Sequence, residues 1–136
     1  MNKPYSFSND QMNGIVEDTY ANIIKECENL KKNTNCPNEQ VVALLSVIAS
    51  NFATTTKNIY FVGYLSKNKI TNNLKMNKPY SFSIDQMNGI VGDTYAKIIN
   101  ECENLKKNTN CPNEQVVALL SVIASNYATT TEKMEN

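Results

Sequence analysis

The longest apolar stretch of the chain runs from Val41 to Ala53 and returns as residues 116–128 with one change, from Phe52 to Tyr127. Apolar residues spaced three or four positions apart lie on one side of an α-helix. Large side chains follow this spacing at Val41, Leu45, Ile48 and Phe52. The pattern predicts an amphipathic helix, helix B, whose large side chains are buried at the centre of a helical bundle.

A second side of helix B carries small residues, and small residues let two helices approach closely. We therefore expect this side to pack against the equivalent side of the second copy. The predicted core or inter-repeat contact consists of Ala43, Leu45, Ser46, Ser50, Ala118, Leu120, Ser121 and Ser125.

An earlier helix, helix A, is predicted from about residue 9 to residue 32. Ser8 and Gln11 have the spacing of a capping box, and Phe7 and Met12 have that of a hydrophobic staple. The apolar positions then recur at helical spacing, at Met12, Ile15, Val16, Tyr20, Ile23, Ile24, Cys27 and Leu30. Charged residues occupy the other sides, so helix A is amphipathic with one buried side.

Helix B is predicted from about residue 37, because Pro37 suits the first turn of a helix. The short turn before it makes helices A and B an antiparallel αα-hairpin. Helix B either ends near residue 56 or follows its apolar spacing to about residue 65. A rival interpretation is a separate strand from Ile59 to Leu65, which we disfavour because a lone strand has no partner. The polar residues 66–78 are predicted to form a flexible linker.

Residues 1–56 and 76–131 have the same sequence at every position but five. The pairs that differ are Asn9/Ile84, Glu17/Gly92, Asn22/Lys97, Lys25/Asn100 and Phe52/Tyr127. We interpret this identity as a tandem duplication of a small gene whose two copies were then fused.

The predicted fold is all-α, with two tandem αα-hairpins packed as a pseudo-twofold four-helix bundle. The first unit spans residues 1–65, and the second spans 79–136 with helices at about 84–107 and 112–131. One hairpin alone would leave a side of helix B in water, whereas pairing two units buries it. We expect the units to pair within the chain, and a further homodimer of the whole chain stays open.

Charge and composition exclude several classes of function. Lys plus Arg and Asp plus Glu both number 13, so the formal charge is zero, which argues against a nucleic-acid binder. The chain has no His and no Arg, which removes the imidazole bases and the arginine contacts that many enzymes use. No apolar run reaches the length that spans a bilayer, and the N-terminal residues do not resemble a signal peptide. We expect a cytoplasmic protein that needs no cofactor and binds no membrane.

The cysteines are the candidate chemical site, as Cys27, Cys36, Cys102 and Cys111. Four thiols could bind one zinc ion, but the spacing within each pair is wider than that of structural zinc sites. Cys27 lies on the apolar side of helix A, which favours an inert buried thiol. Cys36 lies at the positive end of helix B, where its pKa could be lowered. A Cys27–Cys36 disulfide stays open, although a cytoplasmic location argues against it.

Tyrosines could mark a binding surface, at Tyr5, Tyr20, Tyr80, Tyr95 and Tyr127. Tyr20 and Tyr95 fall on the apolar side of helix A, which favours a core position with the hydroxyl at its rim. Tyr5 precedes helix A and is expected to cover an end of the hairpin.

The poverty of catalytic side chains predicts a non-enzymatic module that binds another protein as an adaptor, regulator or inhibitor. A small, AT-rich, duplicated gene would suit a phage or another mobile element. The alternative function is that of a cysteine-dependent redox or metal-binding protein.

Overall fold

A computed structural model describes residues 5–53 and 80–135, with side chains up to residue 128. The described residues form four helices and no strand, which confirms the all-α four-helix bundle. Helix α1 joins an α-helical turn Asn9–Gln11, a π-helical segment Met12–Val16 and an α-helix Glu17–Thr34. Helix α3 repeats this order as Ile84–Gln86, Met87–Val91 and Gly92–Thr109. Helices α2 and α4 are Asn38–Phe52 and Asn113–Glu135.

Side chains near the first turn fix where α1 and α3 begin. The Ser8 hydroxyl accepts the Gln11 N–H at 3.1 Å, and the Gln11 side-chain oxygen accepts the Ser8 N–H at 2.9 Å. Ser83 and Gln86 form the same pair at the same distances. The predicted capping box is therefore confirmed in both units.

Asparagine ends both long helices. Asn35 after α1 and Asn110 after α3 each have a φ of 59°, in the left-handed region that asparagine tolerates better than most residues. The Asn35 N–H donates to the Lys31 carbonyl at 2.6 Å. These helices therefore run two residues beyond their predicted ends at 32 and 107.

Helix α2 ends at Phe52, because Ala53 turns to an extended backbone with φ −88° and ψ 131°. This end comes four residues before the shorter of the two predicted ends. The predicted extension to residue 65, its strand alternative and the polar linker 66–78 lie outside the described residues. Helix α4 continues to Glu135, beyond its predicted end at 131.

Helices α2 and α4 form the most extensive contact of any described pair of helices. Asn38 at the start of α2 donates to the backbone carbonyl of Tyr127 far along α4, so the two helices run antiparallel. Close approach requires small side chains, and the small buried residues of these helices are Ala49 and Ala124. Helices α1 and α3 form the second cross-unit pair.

Cross-unit hydrogen bonds come in reciprocal pairs. Tyr5 donates its hydroxyl to the Thr109 carbonyl at 3.1 Å, and Gln115 donates to the Tyr5 carbonyl at 3.1 Å. In the exchanged form, Tyr80 donates to the Thr34 carbonyl at 3.1 Å, and Gln40 donates to the Tyr80 carbonyl at 3.0 Å. Each N-terminal tyrosine therefore holds the turn of the other unit, as a pseudo-twofold arrangement of the two hairpins would produce.

The core is made by both units together. Its fully buried large side chains are Ile23, Leu30, Leu45, Ile48, Ile98, Leu105, Leu120, Ile123, Val41 and Val116. Tyr20 and Tyr95 are half-buried beside it. Their hydroxyls accept hydrogen bonds from Asn126 and Asn51 of the opposite unit. The rings pack against the core, although they are half-buried and not fully within it, and the hydroxyls lie at its rim.

Gly14 and Gly89 lie inside the two π-helical segments, although neither has a positive φ. A Cβ added at either position would meet nothing within 4 Å. We expect Gly14→Ala with Gly89→Ala to stabilise the fold by about 0.5–1 kcal/mol per site, because alanine loses less backbone entropy in a helix. Urea denaturation measures the change. Gly92→Ala is the control, since its Cβ would lie 3.3 Å from the Met87 carbonyl oxygen and should gain less. If the variant with Gly14→Ala and Gly89→Ala is less stable than the unmodified chain, the π-helical turns need glycine.

Candidate functional site

The candidate site is the outward face of α2 and α4. Val47 and Val122 are 52% and 54% exposed on these helices. Each lies two residues, or about 200° around the helix, from a fully buried leucine, Leu45 or Leu120. Small residues surround the two valines, and we call the whole set the uncharged face, made of Ala43, Ser46, Val47, Ser50, Ala118, Ser121, Val122 and Ser125.

The outward face carries no charge. The sequence has no charged residue from Gln40 to Phe52 in α2, and none from Gln115 to Tyr127 in α4. A helix on the surface of a bundle normally places charged residues on its solvent side. Helices α1 and α3 follow that rule, with exposed lysines and glutamates along their outer sides. Helices α2 and α4 therefore differ from α1 and α3 in the side chains that they present to solvent.

Three of the four serines on this face donate hydrogen bonds within their own helices. Ser46 donates to the Ala43 carbonyl at 2.8 Å, and Ser50 donates to the Val47 carbonyl at 2.6 Å. Ser121 donates in the same way to the Val117 carbonyl at 2.8 Å. If another surface covered these serines, their hydroxyls would keep their hydrogen-bond acceptors. The face therefore behaves as a more apolar surface than its composition suggests.

The structure divides the residues predicted as core or inter-repeat contact. Leu45 and Leu120 are fully buried. Ala43, Ser46, Ser50 and Ser121 are half-buried. Ala118 and Ser125 are exposed, so a core position is wrong for these two. The large apolar side chains of α2 and α4 are buried together with Ala49 and Ala124, and this rotation of the helices leaves Ala118 and Ser125 toward solvent.

Sequence reasoning missed Val47 and Val122 as surface residues. The available signal was their position opposite the large apolar side, together with the absence of charge around them. The sequence predicts that pairing of the two units buries the side of helix B that one hairpin leaves in water. In the structure, Val47 and Val122 lie on a side of these helices that stays exposed.

The four cysteines are buried free thiols. Burial raises the pKa of Cys27 and Cys102 to about 12, and the neighbouring carboxylates of Glu28 and Glu103 add to the effect. Burial also raises the pKa of Cys36. The sequence-based expectation that the start of helix B lowers the pKa of Cys36 is therefore wrong, because loss of hydration outweighs the favourable charge of Lys31.

Metal binding finds little support in these positions. Among residues 5–53 and 80–128, no group of three or more His, Cys, Asp or Glu side chains could hold a metal ion. Cys27 and Cys102 lie on the buried sides of α1 and α3, each in its own unit. The structure does not bring the four thiols together as one ligand set.

Tyr127 makes a contact that has no counterpart in the first unit. Its hydroxyl donates to the Glu28 carboxylate at 2.6 Å, and the Lys31 ammonium lies 5.5 Å from the centre of its ring. Burial and this carboxylate raise the pKa of the Tyr127 hydroxyl. The equivalent residue, Phe52, has no hydroxyl but lies under Lys106 in the same way. Because its hydroxyl stays protonated, Tyr127 can donate the hydrogen bond that links α4 to α1, and it is unsuited to act as a general base.

Comparison with known proteins gives no family. The chain matches no protein-family model, no curated protein and no solved structure. Within the described part of the chain, no helix has both the length and the hydropathy needed to cross a membrane. The geometry of the bundle and the chemistry of its surface are therefore the basis for a proposal about function.

The buried thiols predict a fall in stability at alkaline pH. Between about pH 9 and pH 12 the unfolded chain loses the protons of Cys27 and Cys102, whereas the folded chain keeps them. The stabilising contribution is therefore fully present below pH 9 and is lost as the pH rises toward 12. Urea denaturation at about pH 8 and pH 10.5 measures the slope. Cys27→Ala with Cys102→Ala should flatten this slope, and an unchanged slope in that variant would contradict the assignment.

Proposed function

We propose that this chain is a non-enzymatic protein-binding module whose contact surface is the uncharged face of α2 and α4. The observation that carries the proposal is the exposure of Val47 and Val122 on two adjacent helices without charged residues. Exposed apolar side chains in a region without charged residues are typical of surfaces that bind another protein. In the cell such a module would act as an adaptor, a regulator or an inhibitor.

The chemistry of the described side chains supports a binding role over a catalytic one. The cysteine thiols are buried, and the raised pKa of Cys27 and Cys102 keeps them protonated at neutral pH. The pKa of the Tyr127 hydroxyl is raised, which is the direction that keeps its proton. The whole chain also has no His. Nucleophilic and general-base catalysis need the opposite shifts.

The alternative function, a cysteine-dependent redox or metal-binding protein, has weaker support because every thiol is buried. A cytoplasmic location fits free cysteines, which persist where thiols are kept reduced. An origin by tandem duplication in a phage or another mobile element would account for the near identity of the two units.

Capture from an extract of the source cells tests the binding role. The intact chain should retain a defined protein, and Val47→Glu with Val122→Glu should lose it, because each substitution places a charge in the contact. Met12→Glu with Met87→Glu is the matched control, since these methionines are 48% and 50% exposed on the other helix pair. Retention of the same protein by both variants would show that the uncharged face is not the contact surface.

A further inference from the structure

Two asparagines of the chain come directly before a glycine. Of the four glycines in the sequence, Gly14 follows Asn13 and Gly89 follows Asn88, at equivalent positions of the two units. We propose that Asn13 and Asn88 are sites of spontaneous deamidation, in which each side-chain amide becomes a carboxylate when the start of its helix opens. This modification is separate from the protein-binding role and does not depend on it.

The reaction uses only groups of the chain and water. The backbone nitrogen of Gly14 attacks the side-chain carbonyl carbon of Asn13 and forms a new N–C bond. The bond from that carbon to Nδ2 breaks, and ammonia leaves with the proton of the glycine N–H. Water then opens the five-membered imide at either of its carbonyl carbons, which gives aspartate or isoaspartate. A residue with a Cβ in place of glycine would crowd the attacking nitrogen and slow the first step.

Both Asn–Gly pairs are accessible to this reaction. Asn13 and Asn88 are exposed to solvent. Asn33 is exposed as well, but its Nδ2 donates to the Asn29 carbonyl at 2.8 Å, and the β-branched Thr34 follows it. Asn33 is therefore an internal comparison, an exposed asparagine whose following nitrogen is hindered.

The closed helix holds the reaction back. Asn13 lies in the π-helical segment Met12–Val16, and Asn88 lies in the equivalent segment Met87–Val91. A helical backbone keeps the next nitrogen away from the side-chain carbonyl carbon, so the turn has to open before the two atoms can meet. Opening is favoured here because glycine weakens a helix and because the starts of helices open more readily than their centres.

The tyrosine before each long helix controls this opening. Tyr5 donates its hydroxyl to the Thr109 carbonyl at 3.1 Å, and its ring meets the edge of Phe7 with 5.2 Å between ring centroids. These contacts hold the residues before α1 against the second unit. Tyr80 holds the start of α3 against the first unit in the same way. The rate of deamidation in each unit therefore depends on a contact with the other unit.

The product would in turn weaken this contact. Isoaspartate adds a methylene group to the backbone, which shifts the residues before Asn13 out of register with the rest of α1. The capping box of Ser8 and Gln11 and the cross-unit bond of Tyr5 lie on that side of the site. A chain in which both sites have reacted should therefore unfold at a lower urea concentration than fresh protein.

Storage of the full-length chain in mildly alkaline buffer, followed by trypsin digestion and mass spectrometry, tests this inference. The peptides 1–25 and 76–97 carry one site each, and their sequences differ, so the two sites are measured separately. Fragmentation of each peptide assigns the modified residue. Asn13 and Asn88 should be converted while Asn33 stays intact.

Replacement of the glycines should slow the reaction. Gly14→Ala with Gly89→Ala should lower the rate at both sites by about fivefold or more, because alanine favours the closed helix and adds a Cβ beside the attacking nitrogen. Both positions have room for this Cβ, so the variant keeps the fold in which the rates are compared.

Tyr5→Phe separates the role of the structure from the chemistry of the Asn–Gly pair. Loss of the hydrogen bond to Thr109 should raise the rate at Asn13 by roughly twofold to tenfold and leave Asn88 at its original rate. Tyr80→Phe should produce the reverse pattern. The two sites of one chain are thus controls for each other.

Three outcomes would overturn the inference. One is conversion of Asn33 as fast as that of Asn13 and Asn88. Another is a folded chain that keeps both sites intact over a period in which the chain unfolded in urea is converted. The third is a pair of variants, Tyr5→Phe and Tyr80→Phe, that leave both rates unchanged or raise both equally, since the opening would then not depend on the cross-unit contacts.

Discussion

Leu45→Asp together with Leu120→Asp should unfold the protein. Both leucines are fully buried in the core that the two units share. Each substitution removes a buried apolar side chain and places an unpaired carboxylate where water cannot reach it. Losing a buried leucine costs about 2–5 kcal/mol, and the buried polar group adds several kcal/mol more. Over the two sites, the sum is comparable to or larger than the roughly 5–15 kcal/mol that stabilises a typical domain.

The chain offers a matched control two residues away. Val47→Asp with Val122→Asp adds the same charge to the same helices at positions that are about half exposed. Far-UV circular dichroism should show lost helix for the leucine variant and native helix for the valine variant. An unchanged spectrum for the leucine variant would mean that α2 and α4 are not the centre of the bundle.

Residues 76–136 expressed alone should fold as a homodimer, with a melting temperature that rises with protein concentration. The reason lies in the cross-unit contacts, which equivalent residues can supply. Tyr80, which holds the Thr34 carbonyl in the intact chain, would hold Thr109 of a second fragment. Gln115, which donates to the Tyr5 carbonyl, would donate to Tyr80. The fragment therefore carries both halves of the reciprocal contact.

The fused chain is the comparison for this fragment. The fragment and the fused chain should both carry Val122→Glu, and the fused chain Val47→Glu as well, so that the uncharged face contributes nothing to association. The fused chain should then be monomeric, with a melting temperature independent of concentration, because its two units are held together within one molecule. A monomeric fragment that unfolds cooperatively would show that one hairpin is a complete domain. This result would contradict a core that needs both units to form.

Local sequence patterns were enough to predict the elements of this fold. Ser8 and Gln11 form their capping box from residues three apart, so no distant contact is needed to set the start of α1. Leu45 follows the helical spacing of large apolar residues, and such residues gain enough from burial to decide which side of a helix faces inward. The end at Asn35 was less accessible, because a left-handed residue is favoured but not required by asparagine.

The properties of individual groups depended on the packing of one unit against the other. Cys36 lies beside a helix start, which by itself would lower its pKa, but its burial raises it. The sequence predicts that Tyr5 covers an end of the hairpin, and the structure shows that its hydroxyl donates to the Thr109 carbonyl of the second unit. Neither result follows from sequence spacing, since both depend on which parts of the chain surround the group.

The sequence by itself determined that helix B has one large apolar side and one small side, and that the large side is buried. Only the tertiary structure decided what the small side does. Ala118 and Ser125 are exposed, while Ala124 is buried in the core. Alanine and serine gain little from burial and lose little from exposure, so their spacing suits both positions. The large side chains fix the rotation of each helix, and the small ones take the place that this rotation leaves them.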